Sequence, residues 1–302
     1  MDSTINMGRI SPIFLGLALF TCVLTFSATL ANTEQTTEEA FVAENAEKPH
    51  FTLMDTEEAI SRYRSERYKK IAEGLASSSL SDDHRELLAT AMSKMYLGVP
   101  VSSFTHMERE ESSDLEEPSE SNANLFVSDD GRIQHASESI VRGLNSPSPF
   151  VSLPLLPFIP ATGRILNESD TEANFIFDVE TNMIAEAGDD DSSGMMEKMK
   201  MVAELTVGKL DQSPTRFILR LEKPLRKRFL FKLSKFQMEL HYSYIDSCSG
   251  YAVNQMSMEV NASVIIKGKM HELMESTFTD IECAQPLRYL LPNEDESNFF
   301  QF

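Results

Sequence analysis

Three groups of side chains in this sequence have types and spacings that could do chemistry. The first is methionine, 16 residues in all, with Met195, Met196, Met199, Met201, Met238, Met256, Met258, Met270 and Met274 gathered in the second half of the chain. Flexible thioethers suit an adaptable pocket for an apolar ligand, and they equally suit ordinary core packing. Met199-Lys-Met201 and Met256-Ser-Met258 also put two soft sulfur donors on one side of an extended chain, an arrangement that would select Cu(I). The second group is a cationic run, Arg216, Arg220, Lys223, Arg226, Lys227, Arg228, Lys232 and Lys235, interrupted by a single acid, Glu222. In a chain with 27 basic and 47 acidic residues, such a run reads in two ways. It is a docking patch for lipid head groups or an acidic partner, or a sheet edge kept from pairing by charge. The third group is cysteine: of three residues, Cys22 falls in the N-terminal apolar stretch, leaving Cys248 and Cys283.

Other constellations are refused by their spacing. Asp189-Asp-Asp-Ser-Ser-Gly194 opens like a calcium loop, but Lys200 stands where a bidentate Glu is required, so a solvated turn is expected. The six His are scattered and neither Cys has a CxxC neighbour, which leaves no local metal cluster. GxSxG, HExxH, P-loop and GxGxxG patterns are absent. Binding rather than catalysis is therefore expected, with no cofactor and no resident metal. The net charge of −20 repels phosphate backbones and excludes nucleic acid as a favoured partner. Asn167-Glu-Ser and Asn261-Ala-Ser are sequons that a eukaryotic secretory pathway would use.

The N-terminus addresses the chain. Arg9 precedes an apolar stretch over residues 13–26, too short for a bilayer-spanning helix and right for a signal-peptide core, with Thr29 and Ala31 at the small-residue positions before a cut. Export is expected, to the periplasm if the source is bacterial and to the exterior otherwise. Cleavage after Ala31 removes Cys22, and the even remainder in an oxidising compartment predicts a Cys248–Cys283 disulfide.

The elements that must position these groups follow from composition and period. Residues 32–54 are acidic and small and read as a disordered leader. Residues 55–100 read as a helical hairpin: Asp55, Glu57 and Glu58 open one helix, Ile60, Tyr63, Arg67, Ile71 and Leu75 recur at helical spacing, Ser81 caps the next, and Gly98 and Pro100 stop it. The acid-dense residues 101–124 read as a solvated linker able to compete for the cationic run. Residues 125–166 give a weak hairpin around Asp129-Asp-Gly131, then a proline-rich apolar stretch carrying Pro147, Pro149, Pro154, Pro157 and Pro160, which is extended and lies along the folded domain or connects it irregularly.

Residues 167–291 read as the β domain, with a flexible tail over 292–302. Period-two alternation marks strands at 174–187, 195–207, 215–223, 226–246, 252–267 and 270–282. Within 226–246 the apolar phase slips near Ser234-Lys235, which predicts a bulge or a turn. Short turns between such runs favour antiparallel neighbours, a meander of five or six strands or more. The expected class is α+β, a curved half-barrel-like antiparallel sheet covered by the helical hairpin.

Residues 201–208, 216–224, 236–244 and 275–280 resemble the sheet of bacterial periplasmic outer-membrane lipoprotein-sorting and carrier-like proteins. The likeness covers about residues 199–283. It implies an apolar-lined, half-open sheet plugged by helices and receiving acyl chains; it carries over no individual functional residue. The expected function is binding or carrying a hydrophobic, lipid- or acyl-type ligand, with Phe217, Leu219, Met238, Met256 and Met258 lining the site. The alternative is an interaction module that docks an acidic partner or lipid head groups through the cationic run 216–235, with peripheral-membrane or envelope-protein contact among its partners.

Overall fold

The computed structural model describes residues 51–97, 99–113, 115–127, 133–135, 158–179, 199–227, 231–264, 268–284 and 289–292. The expected signal peptide, the leader up to residue 50, the turns at 129–131 and 189–194, most of the proline-rich stretch and the tail beyond residue 292 lie outside these residues.

Strand β1 (Phe51–Met54) precedes helix α1 (Glu57–Leu75), whose start is set by Thr56: its hydroxyl oxygen accepts the Ala59 N–H at 3.2 Å. Glu57 and Glu58 follow at the positive end of the helix dipole. Ile60, Arg67, Ile71 and Leu75 are buried, so the expected stripe is the observed one. Ser81 caps helix α2 (Asp82–Leu97), accepting the His84 N–H at 3.3 Å. Leu88, Ala89, Ala91 and Met92 have no exposed surface. The hairpin is thus a layer, with α2 against the sheet, where it packs on strands described next.

Strands β2 (Val101–Ser112), β3 (Ser119–Val127), β4 (Ile133–His135), β5 (Arg164–Glu168), β6 (Glu172–Asp178), β7 (Met201–Gly208), β8 (Ser213–Leu221), β9 (Leu225–Lys227), β10 (Phe231–Ile245), β11 (Gly250–Val264) and β12 (Gly268–Cys283) form one 11-stranded sheet. Its order is β4-β3-β2-β12-β11-β10-β8-β7-β6-β5, with β9 beside β10 off this path. The described pairings are antiparallel, and the path has two ends, so the sheet is open. The α+β class and the meander through β6, β7, β8, β10, β11 and β12 are as expected; β5 is an added strand, and Leu225–Lys227, read as the start of one strand over 226–246, is the separate strand β9 paired back on β10. The slip in β10 is real: the β10–β11 register shifts between Leu233 and Lys235, and apolar side chains on both sides of it face the core.

Three boundaries are corrected. The leader ends earlier than residue 54, because β1 pairs with β13 (Tyr289–Pro292), and Met54, Ile60 and Tyr289 make a small cluster of their own. Residues 101–124 are no linker: β2 and β3 form a hairpin that extends the sheet past β12. Counting charge alone misses this, because Val101, Phe104 and Leu125 bury one side of the hairpin's base while Glu110, Glu116, Glu117 and Glu120 are exposed and screened by solvent. The β domain therefore begins at Val101, and the β2–β3 hairpin extends the sheet to 11 strands.

The two faces differ. On the helix side lie Phe175, Phe177, Leu205, Phe217, Leu219, Met238 and Leu240, all in one buried cluster with α2. The end of the proline-rich stretch docks here too, with Phe158 ring-packed 4.6 Å from Phe177 and bridged to Val179. A Cβ at Gly163 would stand 2.8 Å from the Phe177 ring, so only glycine lets the chain pass that close. The other face is polar, although Ile176, Val202 and Ile218 are buried on it.

His106 on β2 lies in the helix-side row with Phe278, 5.0 Å from its ring and nearly parallel to it. Burial lowers its imidazole to about 4. The folded value lies below the unfolded one, so the stability linked to this residue is whole above about pH 6.5 and is lost as pH falls through that value towards 4. A loss of about 3 kcal/mol is expected over that window. Chemical denaturation at pH 7 and at pH 5 checks it: His106→Phe, which keeps the stack on Phe278, should show a shallower pH dependence, and an unchanged slope would refute the assignment.

Candidate functional site

The register brings together all five side chains nominated for ligand contact. Leu219, Met238 and Met258 make one cross-strand row, and Phe217, Leu240 and Met256 the next. Their burial divides them, however. Phe217, Leu219, Met238 and Met256 are 2–7% exposed and belong to the closed core, because α2 packs on β7, β8 and β11. Met258 is half-buried and begins a strip that continues through Val260 and Ala262 on β11, Met274 on β12 and Phe231 on β10, packed against the core's edge, with Glu272, the cross-strand partner of Val260, on the same face. At the covered end, Lys94 of α2 lies 5.5 Å over the Tyr251 ring and donates to the Asp211 carbonyl at 2.5 Å. A strand rises about 3.3 Å per residue, so Ala262 lies roughly 36 Å from Tyr251. Helix α2, roughly 24 Å long, cannot cover both.

The methionine pairs follow the same division. Met199 and Met201 are 2% and 3% exposed, in the core with Met256. Among the described residues no three His, Cys, Asp or Glu side chains converge on a metal position.

The cationic run does not present one patch. Arg216 donates to Glu239 at 2.6 Å, Arg220 to Glu204 at 2.6 Å and Lys235 to Glu259 at 2.6 Å, each on the polar face. The Arg216 guanidinium, with His241 behind it, holds the Glu239 carboxyl below the usual range, and the Lys235 ammonium does the same for Glu259. These partners are 23, 16 and 24 residues away in sequence, so a run counted along the chain hides them. What remains near the β9–β10 hairpin is Lys223 and Arg226, both exposed, and Lys232, half-buried. Arg228 lies outside the described residues. From the β9–β10 hairpin, the acids of β2 and β3 lie beyond β11 and β12.

The polar face carries a groove of about 680 Å³ spanning β3, β2, β12, β11 and β10, lined among others by Met107, Arg109, Asn122, His241, Gln255 and Glu275. Arg109 donates to Glu275 at 3.3 Å, and His241 lies 2.7 Å from Glu239. Ser257 also lines the groove, yet among the described residues no hydrogen bond joins it to His241. The arrangement offers hydrogen bonds without an activated nucleophile. The groove depends on the β2–β3 hairpin, whose residues 106–111 are polar or charged apart from Met107 and show no apolar alternation in the sequence.

Cys248 and Cys283 are bonded, with Cα atoms 5.3 Å apart. The bond ties the turn after β10 to the end of β12, as the meander requires. No protein-family model, curated relative or solved structure matches the chain.

Proposed function

We propose that the chain is an exported binding protein that holds a hydrophobic, lipid- or acyl-type ligand on the apolar side of its curved sheet and acts by binding rather than catalysis. One observation carries the reading: the apolar face outruns its helical cover, continuing as the half-buried strip Met258, Val260, Ala262, Met274 and Phe231. Methionines at both flanks give that strip walls that adapt to a variable chain. The Cys248–Cys283 bond agrees with an oxidising, extracytoplasmic location.

Native mass spectrometry of the protein recovered from an exporting host should find co-purifying lipid. An environment-sensitive acyl probe should bind the parent. Met258→Lys should abolish probe binding while circular dichroism stays native, because the charge can reach water at the strip's edge. Unfolding of that variant would mean that Met258 belongs to a closed core. That result, or a parent that binds neither lipid nor probe, overturns the proposal.

A further inference from the structure

One end of the sheet concentrates opposite chemistries on its two faces. Read across β9, β10, β11 and β12, the register aligns Lys227, Phe231, Val264 and Gly268 in one row, Arg226, Lys232, Ser263 and Lys269 in the next, and Leu225, Leu233, Ala262 and Met270 in the third. The middle row lies on the polar face and carries three cations and no acid. The rows on either side put Leu225, Phe231, Leu233, Ala262, Val264 and Met270 on the apolar face, together with Lys227 opposite Phe231 and, in the next row on that face, Glu272 opposite Val260.

Arg226 and Lys232 are cross-strand partners. Like charges directly opposite weaken a hairpin, and the cations here have a different setting from Arg216, Arg220 and Lys235, each of which meets a carboxylate from an adjacent strand. Lys269 joins the group from β12, where no reading of residues 216–235 alone would find it. Arg226, Lys223 and Lys269 are exposed, while the apolar residues beside them are half-buried apart from Leu233. The rest of the molecule is strongly acidic, with a net charge of −20 over the whole chain.

We propose that this end of the sheet docks on an anionic lipid bilayer, with Arg226, Lys232 and Lys269 at the head groups and the apolar side of the same rows against the acyl boundary. An acidic protein would satisfy the cations and leave the apolar side without a partner; a bilayer surface supplies anionic charge and hydrocarbon within about 10 Å of each other. The acidic remainder is repelled by the same surface, which orients the molecule with this end down. The proposal stands apart from the acyl-ligand reading, since a peripheral protein need carry no cargo.

Protein recovered from an exporting host is mixed with vesicles of equal parts phosphatidylglycerol and phosphatidylcholine, or of phosphatidylcholine alone, and sedimented. Binding is expected to the anionic vesicles only, and it should fall steeply between about 0.05 M and about 0.5 M salt. R226Q/K232Q/K269Q should lower the partition coefficient about tenfold or more at low salt, with circular dichroism and urea midpoint unchanged. R226A/K269A serves if the triple variant is destabilised. Lys69→Gln with Lys70→Gln, two exposed cations on α1, should leave binding as in the parent. Equal binding to both vesicle types, an unaffected triple variant, or binding to polyglutamate without binding to vesicles would each overturn the proposal.

Discussion

Replacing Cys248 and Cys283 together by alanine is expected to lower the unfolding free energy by about 4 kcal/mol. The two residues are 35 apart in sequence, and the open loop restores to the unfolded chain the freedom that the cross-link removes. The bond also joins sites that the ladder holds weakly. Near Cys283 the β12–β2 register is irregular, shifting between Thr279 and Glu282 and again before Cys283, while Cys248 sits in a short 3-10 turn and is 1% exposed. Urea denaturation of oxidised parent, reduced parent and the double variant measures the effect. The last two should share a midpoint well below the first; coincident midpoints for oxidised and reduced parent would show that the cross-link constrains nothing.

Phe177→Ala is expected to cost about 4 kcal/mol, the usual range for deleting a buried aromatic side chain. Phe177 is 1% exposed and does two jobs at once. It fills the core between β6 and the helical layer, and it receives Phe158 and the close pass of Gly163. The chain there is pinned by the Ile159 N–H donating to the Asp178 carbonyl at 2.8 Å and the Asp178 N–H donating to the Thr162 hydroxyl at 2.9 Å. Amides of β5 and β6 should therefore lose hydrogen-exchange protection before those of β10 and β11. Phe177→Leu, which keeps most of the volume, should recover a large part of the stability. A midpoint for Phe177→Ala within experimental error of the parent would mean that the ring is not part of the core.

Whatever was written in short-range pattern could be read without coordinates. The stripe Ile60, Arg67, Ile71 and Leu75, the Ser81 cap and the alternation in β7, β8, β10, β11 and β12 are properties of a few consecutive residues, and each element formed as its pattern implied. The bulge at Leu233 and Lys235 was legible for the same reason, since a slipped phase can be seen within one strand. The β2–β3 hairpin was not legible. Its acids outvote Val101, Phe104 and Leu125 in any local count, and its stability comes from β12, a strand whose residues stand more than 150 positions later in the chain.

The same distinction governs the candidate surfaces. Alternation alone establishes that one side of the sheet is apolar and the other polar, because side chains on a strand must point to opposite faces. It does not say which apolar residues a helix will cover. Phe217 and Met256 lie in the core and Met258 at the start of a half-buried strip, and α2 is too short to cross β11 from end to end. Nor does it say which cations remain available. Arg216, Arg220 and Lys235 are neutralised by carboxylates on neighbouring strands, and Arg226, Lys232 and Lys269 are gathered from three strands into one row. Cross-strand pairing is set by register, and register depends on packing between residues far apart in sequence.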